Sequence, residues 1–472
     1  AAGGDLVTNP VNVRRYALTY SNLPGGALWN AVTKANSLGF YIQDEVTVEE
    51  KLTLTYGVRF DIPFFTSSGF VNTEVDGLTF VDETGAPTKL STSELPSAKL
   101  MINPRFGFNY DAFGNRKTQV RGGLGLFSGR PAFVWISNQI GNNGVQSGQL
   151  SQDNTRAYPF SPDVTRNIPN IANPGQPAPS YNIATTEKDF RFPQIFRANL
   201  AIDQNIGAGI VATAEVLFSQ SISNVFYYNA NLKPASATFS GPDNRPRFPG
   251  LNPATGQLLT GAAFNNAARV NPKITDATVL KSGPYGGSFM ATFKLEKPIR
   301  ATGLGWLLAY NYGSTRDFIS AGSIAFSSWR DNRTVNGNNR PDISFSDNDV
   351  RHRIIGNITY RKEVFKAAAF QVSLAGQSQN QGRVSYTISG DMNGDGLAGN
   401  DLIYVARDKS EMNFQTYTTT VNNVTTTFTA QAQADAWDAY INQDSYLRDR
   451  RGKYAERNGL VLPMVTRFDL SA

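Results

Sequence analysis

The sequence has no cysteine and one histidine, His352, in 472 residues. Disulfide frameworks, thiolate metal sites and cysteine nucleophiles are excluded together, and one imidazole cannot build a histidine-rich metal centre. The missing cysteine says little about compartment, because an oxidising space permits disulfides without requiring them. Charge is also scarce: Asp, Glu, Lys and Arg make up 17% of the chain, against about 25% in ordinary soluble domains. Yet no stretch approaches the roughly 18 consecutive apolar residues of a membrane-spanning helix. Aromatics are plentiful, with 30 Phe and 19 Tyr, which excludes a disordered chain. The net charge is +6, but only Arg448, Arg450, Arg451 and Lys453 stand together, so the basic residues give no patch for a nucleic-acid partner.

What is present is strict alternation over segments of roughly 9 to 13 residues, the length of a tilted strand that crosses a bilayer. In KLTLTYGVRFDIP, Leu52, Leu54, Tyr56, Val58, Phe60 and Ile62 share one face, and Thr53, Thr55, Gly57, Arg59 and Asp61 share the other. The split recurs with Phe106, Phe108 and Tyr110 against Arg105, Gly107 and Asn109. It recurs with Phe196, Ala198, Leu200 and Ile202 against Arg197, Asn199 and Asp203, with Phe289, Ala291, Phe293 and Leu295 against Thr292, Lys294 and Glu296, and with Trp306, Leu308 and Tyr310 against Asn311 and Gly313. Two faces of such different polarity meet different solvents.

Connections alternate in length. Short turns fall near residues 48–51, 112–117, 205–209, 298–303 and 361–366, and between them lie long polar links at 63–98, 130–188, 227–274, 317–347 and 376–463. Short turns on one side and long loops on the other are the layout of an outer-membrane barrel, with the short side periplasmic; a soluble sandwich would rarely carry five structureless loops of this length. The fold class is therefore all-β, an antiparallel transmembrane β-barrel segment of about 12 strands, with its apolar faces toward lipid in a band about 25 Å tall. The loops 130–188 and 376–463 are expected to be extracellular and to form the partner-binding surface. One loop carries a predicted helix from Ala430 to about Arg450, with Trp437, Tyr440, Ile441 and Tyr446 on an apolar face. The opening AAGGDLVTNPVNVRRY has no basic or apolar leader pattern, and the closing MVTRFDLSA stops inside an alternating strand. The expectation is one stretch of a longer polypeptide, with residues 1–472 forming part of one barrel domain.

Several strings, taken in order, resemble the barrel of TonB-dependent outer-membrane receptors, more closely the Oar-like branch common in Bacteroidota. They are YIQDEVTVEEKLTLTYGVRFD (41–61), NPRFGFNYDAFGNRKTQVRGGLGLFSGRP (103–131), FRFPQIFRANLAIDQ (190–204), DNDVRHRIIGNITY (347–360) and GDMNGDGLAGNDLIYV (390–405). The resemblance implies a 22-stranded barrel, an N-terminal plug behind a TonB-contacting box, and often a carboxypeptidase-regulatory-like β-sandwich before the plug. None of these N-terminal parts is in the sequence, and the aromatic residue that usually closes such barrels is absent at Ala472. About half of such a barrel cannot close a sheet by itself.

The sharpest local motif is GDMNGDGLAGND. Asp391, Asn393 and Asp395 alternate, and Gly394 and Gly396 allow a sharp turn, which is the first half of a calcium loop with oxygen ligands at positions one, three and five. The twelfth position is Leu402 rather than an acid, and the nearest carboxylate is Asp401 at the eleventh. A calcium site made by Asp391, Asn393, Asp395 and Asp401 is one reading; a polar turn above a strand is the other.

Other candidates carry less. His352 between Arg351 and Arg353 belongs to no nucleophilic constellation, so no enzyme is read. Asp435, Asp438 and Asp444 read as a solvated helix face. Tyr41, Tyr56, Tyr110, Trp306, Tyr312 and Tyr360 are girdle candidates. Gly122, Gly123 and Gly125 lack the Lys-Ser or Lys-Thr of a phosphate loop and fit close packing or a bend. Arg59, Arg105, Arg121, Arg197 and Arg353 lie on polar faces, where structural pairing, with plug acids for instance, outweighs an anion route.

Three functions compete. The first is a TonB-dependent transporter barrel for active passage of a large solute, in the outer membrane of a Gram-negative bacterium. Its partners are membrane lipid, a TonB-type energy-coupling protein reached through N-terminal parts, and a surface lipoprotein or other extracellular partner. The second is a structural or adhesive scaffold whose loops bind a surface partner. The third, a secreted carbohydrate-binding protein, is disfavoured because its exposed apolar faces would aggregate. A plug and TonB box upstream would favour the first, and an adhesive repeat array the second.

Overall fold

The computed structural model describes residues 13–27, 30–130, 132–155, 161–163, 165–170, 176–299, 303–365 and 368–472. Eleven strands follow one another in an antiparallel wall: β1 (Ala35–Val48), β2 (Leu52–Phe65), β3 (Met101–Asp111), β4 (Thr118–Ser128), β5 (Gln194–Gly207), β6 (Ile210–Asn229), β7 (Gly287–Lys297), β8 (Gly303–Asp317), β9 (His352–Phe365), β10 (Ala368–Asn380) and β11 (Met464–Ser471). Each neighbour in space is the neighbour in sequence, as in an up-and-down barrel. The sheet is left open at β1 and β11.

Register carries the alternation across the wall. Leu200, Val216, Ala291 and Tyr312 form one outward row, and Ile202, Ala214, Phe293, Tyr310 and Ile354 form the next. Leu308, Phe293 and Tyr56 are about half exposed, at 51%, 50% and 45%, and Leu54 and Val58 are half-buried. None of these side chains faces a closed core. The inward rows are polar: Thr53, Asn109, Arg121, Ala201, Glu215, Thr292, Asn311 and Arg353 stand side by side across eight strands.

All short connections lie at one end. Between β1 and β2 the chain reverses at Glu49 and Glu50, both at positive φ (51° and 56°), the conformation of a tight hairpin turn whose twist matches the strands. Residues 300–302 and 366–367, in two of the expected turns, lie outside the described residues.

At the other end the long links fold into a cap, which corrects the expectation of structureless loops. Strand β6 runs past the wall, and Asn224–Asn229 pairs with Ile274–Gly283, which in turn lies parallel to Tyr181–Thr186. This small sheet is buried on both faces. Tyr227, Leu280, Ala184, Ile136 and Trp329 pack on one side, and Phe226, Tyr228, Val279, Ile183 and Phe80 on the other. The wall holds eleven strands, in keeping with the expected number of about 12, and Ile274–Gly283 belongs to the cap. Val13–Ser21 likewise pairs with Ser147–Thr155, apart from the wall.

The expected helix is also shorter. It spans Ala430–Gln443 and stops where Asp444 takes extended φ/ψ and caps a second short helix, Ser445–Arg448. Ile441 and Leu447 are buried against Val405 in a third core.

Candidate functional site

Two regions hold the chemistry-bearing residues. The first is the inward face of the wall. Arg121 pairs with Asp203 at 2.8 Å and Glu215 at 3.3 Å, and Arg59 with Asp61 at 2.8 Å, which Asn103 also contacts. Arg197 donates to Ser219 and Arg353 to Gln377. The expected structural pairing is thus made within the wall itself. Arg105 stands between Gly57 and Gly125 in register, with its Nε buried and unpartnered. A groove of about 400 Å³ runs along Glu45, Thr55, Asn109, Arg121 and Asn199.

Gly122, Gly123 and Gly125 lie inside β4, not in a loop. A Cβ at Gly122 would sit 2.8 Å from the Phe108 ring, and one at Gly123 would sit 2.9 Å from the Phe106 carbonyl oxygen. Close strand packing accounts for both glycines.

The second region is the loop 391–401, where three cap loops meet. The Phe248 N–H donates to the Asn393 carbonyl at 2.8 Å, and Thr334 N–H to that of Asn400 at 3.0 Å. Gly250 passes so near that a Cβ would lie 2.2 Å from the Gly394 oxygen. Asp391 accepts from the N–H groups of Gly394 (2.7 Å) and Gly396 (2.8 Å), and both glycines have the positive φ the turn requires. Asn393 accepts from Asp395 N–H, and Asp395 from Leu397 N–H. Asp401 accepts from the N–H groups of Met392 and Asn393 and lies 3.3 Å from Arg245.

Burial pushes the Asp395 carboxyl well above the usual carboxylate range and the Asp391 carboxyl up to about 6, with neighbouring carboxylates adding to both shifts. Arg245 is 1% exposed and is held by Asp243, Asp401, the Leu402 carbonyl and the Tyr454 ring. Sequence reasoning missed Arg245, since no local pattern separates it from other loop arginines.

The family described as "Outer membrane beta barrel domain" matches residues 19–472. The chain belongs to that family. It is an outer-membrane barrel wall of a Gram-negative bacterium, and its outward rows contact lipid. Among curated proteins, none matches.

Solved structures similar to it include the FrpB iron transporter of Neisseria meningitidis (F5-1 variant), at 11% identity and TM-score 0.36 over 74% of this chain and 34% of that one. The outer membrane transporter YddB of Escherichia coli is 12% identical, with TM-score 0.35 over 73% and 39%. The siderophore receptor PirA of Acinetobacter baumannii is 8% identical, with TM-score 0.32 over 88% and 51%. The chain spans between about a third and a half of the length of these structures.

The barrel frame explains the remaining candidates. Tyr56, Tyr110, Trp306, Tyr312 and Tyr360 lie on outward rows, whereas Tyr41 pairs with Arg59 and faces inward, which removes it from the girdle set. His352 is in the outward row opposite Tyr312, and Tyr310 Oη is 2.8 Å from its Nδ1. Asp44 also lies on an outward row, where it accepts from the Tyr56 hydroxyl at 2.9 Å. Of the helix acids, Asp435 is solvated as expected and pairs with the exposed Lys409 at 2.6 Å, whereas the partly buried Asp438 pairs with Arg451 at 2.7 Å and Asp444 accepts from Tyr386, which corrects the solvated reading for those two. Arg450 pairs with Glu456, so the basic run is mostly neutralised.

Proposed function

We propose that this domain is the wall of a TonB-dependent outer-membrane transporter of the Oar-like branch, in a member of the Bacteroidota, and that it passes a large solute. The observation that carries the reading is the inward face, a polar surface across the whole wall in which Arg59 and Arg121 are already matched by Asp61, Asp203 and Glu215. Such a face suits water or a polar plug, and not a packed apolar core. In this reading residues 1–472 are part of one barrel of 22 strands. The plug, TonB box and any β-sandwich lie in the same polypeptide outside this stretch, and the cap faces outward. A surface lipoprotein or other extracellular partner would meet the loops 130–188 and 376–463.

The test is energy coupling. The full-length protein in detergent is expected to retain the periplasmic domain of a TonB-type protein on an affinity column, and the same protein with its TonB box deleted is expected to lose it. Equal retention by both, or by neither, sinks the transporter reading.

One observation favours the scaffold as a second reading. The hairpin formed by Tyr417–Val421 and Val424–Phe428 is exposed along its whole length, with Tyr417 stacked on Phe428, and exposed strand edges invite pairing with another chain.

A further inference from the structure

The loop 391–401 buries more oxygen than its own donors satisfy. Asp395 is 2% exposed, and its hydrogen-bond donors are all neutral: Leu397 N–H at 2.9 Å, Asn393 Nδ2 at 3.2 Å and Asn400 Nδ2 at 3.1 Å. Among the described residues, no lysine or arginine forms an ion pair with Asp395 or Asp391; the nearby Arg245 is taken by Asp243 and Asp401. A buried carboxylate without a cation is costly. Independently, Asn400 is 3% exposed, and its Oδ1 is buried with no hydrogen-bond partner. That bare oxygen belongs to an amide that stands directly on the Asp395 carboxylate. Buried amide oxygens in native proteins are normally partnered, so an orphan there points to a missing ligand.

We propose that residues 391–400 form a calcium site, with Asp391, Asn393, Asp395 and Asn400 as the side-chain oxygen donors, that locks three cap loops together. One cation takes the buried charge of Asp395 and gives the Asn400 oxygen its partner. Among the described residues no three of His, Cys, Asp and Glu converge as a metal cluster, so the donor set is two carboxylates and two amides. It holds no nitrogen or sulfur ligand, which selects a hard cation. Calcium accepts six to eight oxygens at about 2.3 to 2.6 Å in flexible geometry, whereas magnesium demands an octahedron and keeps its waters. Asp401 differs from these donors in already having a cation, the buried guanidinium of Arg245 at 3.3 Å, and it accepts the N–H groups of Met392 and Asn393. It therefore holds the loop's entry in place as a positioning residue.

The ion would sit where the backbone joins 381–463 to 230–273 through Phe248 and to 318–351 through Thr334. The inference is independent of what the barrel transports.

Calorimetric titration of calcium chloride into the full-length protein, stripped with EDTA in detergent, tests it. The expected result is a site that Asp395→Asn weakens on the order of tenfold to a hundredfold, with calcium slowing trypsin cleavage within 381–463. Asn400→Asp keeps the side-chain shape and adds charge, so it is expected to bind at least as tightly as wild type. That variant keeps the test decisive if Asp395→Asn fails to fold. No heat in the wild type, or wild-type affinity in both Asp395→Asn and Asp391→Asn, overturns the site. Equal affinity for magnesium chloride overturns the choice of calcium.

Discussion

Arg245 shows how single residues set the stability of the cap. Its guanidinium is buried between Asp243, Asp401 and the Leu402 carbonyl, and removing one partner of such a group leaves an uncompensated charge. Arg245→Met is expected to cost about 3 to 5 kcal/mol. Trypsin should then degrade the cap, while the wall still migrates as a heat-modifiable band in gel electrophoresis. Lys281 plays a comparable part, bridging Glu83 at 2.7 Å and Glu187 at 3.4 Å. Burial raises the Glu187 carboxyl, and Lys281 opposes that rise. In Lys281→Met, burial and the Glu83 charge act unopposed, so the folded carboxyl titrates higher still. A carboxyl raised in the folded state contributes stability at low pH that is lost as pH rises through its folded value. Protease protection of the cap in this variant should therefore be better at pH 5 than at pH 8, and an equal response at both would refute the assignment. Neither role was legible in the sequence, because Arg245 meets Asp401 across 156 positions and Lys281 meets Glu83 across 198.

At the scale of elements, alternation was read correctly because a strand in lipid meets two solvents, and period two records them residue by residue. Leu308 and Thr292 make the contrast testable. Leu308 lies on an outward row and Thr292 on an inward one. Leu308→Arg is expected to cost about 2 to 4 kcal/mol near mid-bilayer and to lower the yield of folded barrel in outer-membrane fractions, whereas Thr292→Arg should assemble normally. The helix at Ala430–Gln443 was legible from its apolar spacing, but its end was not. Asp444 reads as one more helix acid, yet its carboxylate caps Leu447 N–H and accepts from Tyr386. Asp444→Ala should cost about 0.5 to 2 kcal/mol for the cap alone, seen as earlier thermal loss of cap structure. Glu49 and Glu50 form the short turn expected at 48–51, which was placed by the strand pattern and not by turn chemistry, since a two-residue turn at positive φ usually carries Asn or Gly.

For the whole molecule, the segregation of short turns from long loops predicts sidedness. Because these 472 residues contain no cysteine, a single engineered thiol reports position. Asn423→Cys, at the tip of the exposed cap hairpin, is expected to react with a membrane-impermeant maleimide on intact cells. Glu50→Cys, in a short turn, should react only after the outer membrane is permeabilised. The reverse pattern would invert the orientation. By itself, the sequence determined the strand class, the outward rows, the alternating connection lengths and the oxygen-rich motif at 391–401. These are local consequences of period two and of turn chemistry, and they need no knowledge of distant residues. Only the tertiary structure decided that the long links fold into a cap with three apolar cores, that Ile274–Gly283 stands apart from the wall and pairs with the end of β6, and that Arg121 finds the wall acids Asp203 and Glu215. It alone brought Arg245, Phe248 and Thr334 to the loop at 391–401. Those outcomes depend on side chains far apart in the chain meeting in a buried space, where each polar group must find a partner, and no local pattern specifies which one.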